Sequence, residues 1–429
     1  MLSIIAGTVQ DSLHEGLDFS PAKATANYIL DRKEVTIYPQ SGGVFSNAGI
    51  RVLRWSLGDA SNAFLCGETV RCAFYLKNNG SAALAPICAT PASMFDRVRV
   101  LMGGIEAEDI TYHSRFAQQE ELLLSAEQRL NNLGETWGAT SDSTVANLTP
   151  LPIPAGEERR VMCSFHIAAF RQPKRWWLAA CNITLELELN PDNDYCFAGT
   201  GADWSITRPV LHASVFQTDP AMTSSIANYL NGGKFLTIMC PSSTYNIKAA
   251  ITNSSSFQLP VQRGFSKLAC LMFSTFMSRP GKKECVTFDH PLAGATPNST
   301  NDKFGYHGSL GSSRWPTVDC EGVAEQWMRT RMALSLLDRN SGQEISLTPS
   351  AFRGEGAVFI MNLSKVLEDP KIGHSGVSTL GSNSNLVLHF KNMPDAAVVE
   401  GVEQPRLLFV TCRYDATIEI GKEGCRAYS

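Results

Sequence analysis

Ile183-Thr184-Leu185-Glu186-Leu187-Glu188-Leu189 is the stretch that decides the fold class of this chain. Ile183, Leu185, Leu187 and Leu189 occupy one face of an extended backbone; Thr184, Glu186 and Glu188 occupy the other. Side chains of a strand alternate between faces, so a period of two with glutamates on the outer side predicts one buried and one wet face. A helix would spread the same four apolar residues around its circumference.

Similar segments flank it. Ile50–Leu57, Val70–Leu76, Arg97–Met102, Arg160–Ile167 and the region 207–217 read as strands, and Gly103-Gly104 marks a turn after the third. Beyond residue 234 the candidates are Phe235–Met239, Ser256–Gln262, Phe265–Phe276, Cys285–Phe288, Ala357–Met361, Asn385–Phe390 and Leu407–Ile420. The last is apolar on both faces, which suits a strand covered on both sides. Helices interrupt at Arg115–Leu130, rich in good helix formers, and from Asp219-Pro220 to Gly232-Gly233, with an N-cap at one end and a glycine stop at the other. A third is expected from Asp319 to Asp338, with Val323, Trp327, Leu334 and Leu337 roughly on one face, and a short one at Leu363–Leu367. Many short strands with turns between them point to sandwiches or barrels. The pattern divides near 213–220, and loops are expected at 132–149, 190–203, 291–313 and 371–384. No internal sequence repeat is visible.

The 429 residues suffice for two β-domains of roughly 200 residues each. Hydrophobic residues make up 44%. Charged residues make up 18%, below the usual share of about 25%, which fits a surface covered by neighbours. Net charge is −4, residues 1–30 hold one lysine, Lys23, and no arginine, and Lys422, Glu423 and Arg426 near the end almost cancel. A basic arm that would neutralise phosphates is therefore missing, and no direct sequence-specific nucleic-acid binding is expected. The twelve cysteines are scattered with no CxxC pair, a spacing that favours reduced core thiols over a few disulfides or a metal cluster. The first residues lack a basic signal-peptide region, and the longest apolar run, Leu268 to Met277, falls well short of the roughly 20 residues that span a bilayer. The expectation is a soluble chain made inside the cell.

Motifs for chemistry are weak. His307-Gly308-Ser309-Leu310-Gly311 approaches G-x-S-x-G, but His307 replaces the first glycine and the segment lies in a loop. Gly199-Thr200-Gly201 starts a dinucleotide pattern that Trp204 breaks, and no phosphate loop exists. The eight histidines are dispersed, and His166, in a strand pattern, reads as a core residue. Arg171, Lys174 and Arg175 form a small basic cluster, either solvated or facing an acidic partner. Trp176, Trp177, Trp204, Trp315 and Trp327 are candidates for core or interface anchors.

Six fragments in order resemble double jelly-roll major capsid proteins, above all those of polinton-like viruses and virophages. They are Met94–Ile110 with the following Tyr112–Leu124, Lys174–Leu178 leading into Ile183–Leu189, Tyr229–Ile238, Arg263–Leu268, Phe273–Phe276 and Val410–Ile420. The resemblance implies an all-β fold of two consecutive eight-stranded jelly rolls with a few short helices in the connections. It implies a first barrel over 46–217 and a second over 218–429 with a C-terminal tail. Residues 1–45 match no family segment and are expected to form an arm. It places Glu106, Glu108 and Asp109 in a turn.

The implied function is structural: a homotrimer forming a pseudo-hexameric capsomer of the icosahedral shell of a double-stranded DNA virus, assembled in the host cell and located in the virion. The implied partners are further copies of itself, penton proteins and minor capsid proteins; an inner membrane is left open. No enzyme activity, catalytic residue, cofactor or metal is implied. Two alternatives stand beside it: a capsid-derived protein domesticated in a cellular genome, and a tandem β-sandwich that binds carbohydrate.

Overall fold

The computed structural model describes residues 28–58, 63–140, 149–251, 256–292, 303–337, 347–364, 376–381, 385–393, 397–399 and 402–429. In the first half the strands are β1 (Ile29–Ile37), β2 (Val52–Ser56), β3 (Ala63–Asn78), β4 (Phe95–Met102), β5 (Ile105–Thr111), β6 (Glu158–Cys163), a two-residue β7 (Trp176–Trp177), β8 (Ile183–Leu189) and β9 (Trp204–Thr218). The second half holds β10 (Leu236–Ile251), β11 (Phe257–Pro260), β12 (Leu268–Met277), β13 (Gly305–Leu310), β14 (Ser313–Glu321), β15 (Phe359–Asn362), β16 (Leu386–Lys391), the hairpin β17 (Ala397–Val399) and β18 (Val402–Gln404), β19 (Arg406–Gly421) and β20 (Gly424–Tyr428).

Sheet order reveals a duplication that the sequence hides. The first half pairs β1-β9-β3-β6 in one sheet and β2-β8-β4-β5 in the other. The second pairs β10-β19-β12-β15 and β11-β16-β13-β14. Counting the eight principal strands of each half in order, both give one-eight-three-six facing two-seven-four-five. That is the jelly-roll arrangement, in which two sheets close over one core. β7 and β20 attach to β3 and β19 respectively.

The glutamate-bearing strand behaves as its alternation demands. Ile183, Leu185, Leu187 and Leu189 are fully buried, while Glu186 and Glu188 reach Arg99 at 3.0 Å and Arg51 at 3.0 Å on the outer face. Trp55, Trp176 and Trp204 fill the first core. Burying about 200 Å² of indole at about 25 cal/mol per Å² is worth roughly 5 kcal/mol before entropy is counted. β12 is buried on both faces: Leu271 and Phe273 enter the second core, and Cys270 and Met272 lie under Leu123, Leu334 and Phe288.

Several expectations change. Residues 29–37, assigned to the arm, form β1, which pairs along its length with β9; residues 1–27 of that arm lie outside the described residues. The single helix over 115–130 is two, α1 (His113–Leu122) and α2 (Ala126–Thr136). Ser125 restarts the chain as a capping box with Gln128, satisfying both backbone donors at a new N-terminus. Helix α3 (Ala168–Arg171) is a single turn, and α4 (Pro220–Asn231) starts at the Asp219 cap as the sequence signals.

The helix expected from Asp319 starts later, as α5 (Val323–Leu337), because 313–321 pair with β13 as a strand; α6 (Pro349–Arg353) follows. The loop expected at 291–313 thus contains β13. Cys285–Phe288 is turn rather than strand, held by lone bridges at Phe288 and Asp289. Residues 363–364 are irregular, and the rest of the short helix expected at Leu363–Leu367 lies outside the described residues.

Candidate functional site

The richest concentration of buried ionisable groups lies where the two barrels meet. Gly103 and Gly104, at φ +59° and +84°, make the left-handed hairpin turn that sends β5 back along β4. Glu106, Glu108 and Asp109 therefore stand on a strand, not in a turn. Asp109 pairs with Arg97 at 2.6 Å and Glu106 with Arg99 at 3.5 Å, while Glu108 points into the second barrel. β5 then meets β10 and β20 of the other barrel.

Glu108 is buried. Its carboxylate accepts from the Ala168 N–H at 3.2 Å, the Ala169 N–H at 3.4 Å and, across the seam, the Ser242 hydroxyl at 2.9 Å. Burial pushes its pKa up to about 7, with those donors pulling the other way.

Helix α1 follows directly and crosses the seam. Arg115 is fully buried, and its five N–H groups all find acceptors in the second barrel. It donates to Ser274 Oγ at 3.1 and 3.3 Å, to the Thr275 carbonyl at 3.2 Å, to the Thr287 carbonyl at 2.8 Å and to the Glu284 carbonyl. Its guanidinium carbon sits 4.3 Å from the ring centroids of both Phe288 and Phe409. Burial lowers its pKa, yet a guanidinium starts high enough to keep its charge.

One turn later Glu120 bonds Arg413 of the second barrel and lies 3.7 Å from Arg171. Burial raises its pKa, but the Arg413 charge, joined by that of Arg171, outweighs it and holds the carboxyl below its ordinary range. His166 is driven down to about 3 by burial and then by Arg171. It is therefore neutral at pH 7, and its approach to Glu120 at 3.8 Å is a polar contact rather than an ion pair.

A cavity of about 190 Å³ opens beside these groups, lined among others by Phe116, Glu120, His166, Arg171, Ser242 and Arg413. Its charged walls are bound to each other across the seam. Chemically the arrangement fixes one barrel on the other. Arg171 of the basic cluster thus serves the seam, while Arg175 reaches Glu68 at 3.5 Å and Lys174 is exposed. Sequence reasoning missed Glu108, Arg115, Glu120 and Arg413 as a group. The only trace in the sequence was a helix with charged residues on every side.

The remaining candidates separate. Trp176, Trp177 and Trp204 are core residues; Trp315 and Trp327 pack at the edge of the second core. Ser309 Oγ lies 2.7 Å from His389 Nε2, and His389 stacks on His307 with centroids 4.3 Å apart. Asp319 bonds His307 Nδ1 at 2.6 Å, and also Arg314 and Lys391. The carboxylate orients the other imidazole, so among the described residues no carboxylate is shown on His389 to complete a nucleophilic triad with Ser309. Among the described residues no group of three or more His, Cys, Asp or Glu is placed to hold a metal ion, and no helix is long and apolar enough to cross a membrane.

No protein-family model and no curated protein sequence matches the chain. Solved structures do. The quasi-atomic model of the PBCV-1 virus capsid aligns with a TM-score of 0.62 at 9% identity, over 96% of this chain and 99% of that one. The cryo-EM structure of the Sputnik virophage aligns at 0.60 and 10% identity, over 99% and 94%. The mavirus major capsid protein aligns at 0.50 and 12% identity, over 98% and 95%. The fold is a double jelly roll, and the likeness extends over nearly the whole of each chain.

Proposed function

We propose that this chain is a major capsid protein, a structural subunit that trimerises into pseudo-hexameric capsomers and builds the icosahedral shell of a double-stranded DNA virus. The observation that carries the reading is the repetition of one strand order in both halves of a single chain. Two like barrels per chain give six in a three-fold ring, and closed cyclic symmetry limits growth at that stage. A shell subunit also needs its two barrels held at one angle. The buried seam of Glu108, Arg115 and Glu120 supplies that rigidity.

The mavirus chain of the same fold is described as a major capsid protein, and the PBCV-1 and Sputnik chains come from a virus capsid and a virophage. The low charged fraction, 18%, suits faces covered by neighbours. On this reading the protein resides in the virion, its partners are copies of itself together with penton and minor capsid proteins, and it carries no catalytic residue, cofactor or metal. The first barrel takes β1 to β9 and the second takes the chain from α4 onward.

Light scattering of the purified chain tests this. The expected species is a trimer of three 46.8 kDa chains, about 140 kDa, with hexagonal arrays or shells in micrographs of concentrated protein. A strict monomer that binds glycans overturns the proposal.

A further inference from the structure

Three thiols from three separate connections converge on one point between the barrels. Cys88 follows β3, Cys196 follows β8, and Cys285 lies in the turn after β12, so two come from the first barrel and one from the second. Cys196 is enclosed on both sides. The Cys285 thiol donates to the Tyr195 carbonyl at 2.6 Å, and the Cys88 thiol to the Cys196 carbonyl at 3.7 Å. The Cys196 sulfur itself donates to the Ser93 carbonyl at 2.9 Å, and all three cysteines belong to one buried core cluster. All three are buried, but Pro191, Asp192 and Ala198 to Gly201 around Cys196 are exposed, so only a thin surface loop covers the cluster.

We propose that Cys196 and Cys285 are a peroxide-sensitive cross-linking site that joins the two barrels covalently. A peroxide is small enough for a buried thiol. One thiolate, Cys285 or Cys196, attacks the peroxide oxygen, breaks the O–O bond and becomes a sulfenic acid, releasing one water once protons are shared. The second thiol then attacks the sulfenic sulfur. The S–O bond breaks, a second water leaves and the S–S bond forms. Two thiols lose two electrons and two protons, and the peroxide is reduced to two waters. Burial raises the Cys196 pKa well above the ordinary thiol value, so the reaction is slow and depends on opening of the 190–203 loop. Cys88 competes for Cys196 without joining the barrels. The chain is thereby reduced where thiols are kept reduced and stapled where they are not. The inference is independent of shell assembly, since a monomer would cross-link equally.

The test exposes the folded full-length chain to hydrogen peroxide, quenches it, blocks free thiols under denaturing conditions and maps linked peptides by mass spectrometry. The expected result is a peptide joining Cys196 to Cys285, the loss of two of the twelve titratable thiols and a faster band on a non-reducing gel that dithiothreitol reverses. Cys285→Ser removes the band, and Cys88→Ser keeps it. Absence of the linked peptide in the folded wild-type chain, or only a Cys88–Cys196 link, overturns the proposal. The wild-type peptide map decides even should a serine variant fail to fold.

Discussion

The guanidinium of Arg115, carried on a helix of the first barrel, lies 4.3 Å over the ring of Phe409 in the second. This contact is one of several that tie the two jelly rolls together, beside the Glu108–Ser242 and Glu120–Arg413 bonds. The same cation touches Phe288 on its other side, so its low-dielectric surroundings are aromatic faces, which attract a cation. Five charge-assisted hydrogen bonds offset the cost of its desolvation.

Replacing Arg115 should therefore loosen the seam. Arg115→Met leaves Ser274 and three carbonyls without their donor, and each buried orphan costs about 1–3 kcal/mol. A total loss of at least about 4 kcal/mol is expected in urea unfolding, four orphans at the lower figure. Arg115→Lys should recover little of it, because an ammonium offers three donors from one point and cannot lie between two rings. Wild-type stability in the methionine variant would remove the seam's central role.

Glu108 should make stability fall with rising pH. Its folded pKa is about 7 against an ordinary 4.5, so between these values the folded chain holds a proton that the unfolded chain has lost. Stability relative to Glu108→Gln should decline from pH 4.5 to 7 and level off above it. A shift of this size corresponds to about 3 kcal/mol. Parallel pH curves for the two proteins, by thermal melting, would contradict the assignment.

His166 works in the opposite sense. Its folded pKa of about 3 lies below the ordinary 6.5, so the unfolded chain binds the extra proton between those values. Its contribution is intact above pH 6.5 and is lost as the pH falls towards 3. His166→Gln should unfold less readily than the wild type in acid, relative to its own stability at pH 7.5. Equal acid midpoints would refute this.

The β4–β5 turn offers a backbone test. Gly104 has φ +84° and open space where a Cβ would go, so Gly104→Ala meets conformational strain alone. A loss of about 1–2 kcal/mol is expected from the left-handed conformation. Gly134→Ala, in open space without positive φ inside α2, should instead gain about 0.5–1 kcal/mol. Denaturant midpoints of the two variants compare the cases directly.

The sequence alone determined the β class and most central strands, because these depend on alternation and turn chemistry that a few neighbouring residues carry. Ile183–Leu189 and the Asp219-Pro220 helix start needed nothing from elsewhere in the chain. β1 and β14 escaped because edge strands bury little: β1 is exposed along most of its length and β14 exposes Ser313, Arg314, Thr317 and Val318. β13 is buried, but Gly305-Tyr306-His307-Gly308 shows no apolar alternation to mark it. Only tertiary structure decided the seam. His113-Ser114-Arg115-Phe116-Ala117-Gln118-Gln119-Glu120-Glu121 reads as a solvated helix, yet every one of these residues is buried. The two charges Arg115 and Glu120 there are matched by Ser274 and Arg413, more than 150 positions further along the chain. Local pattern encodes which side of an element is apolar; it does not encode which distant groups will satisfy a charge that folding takes out of water.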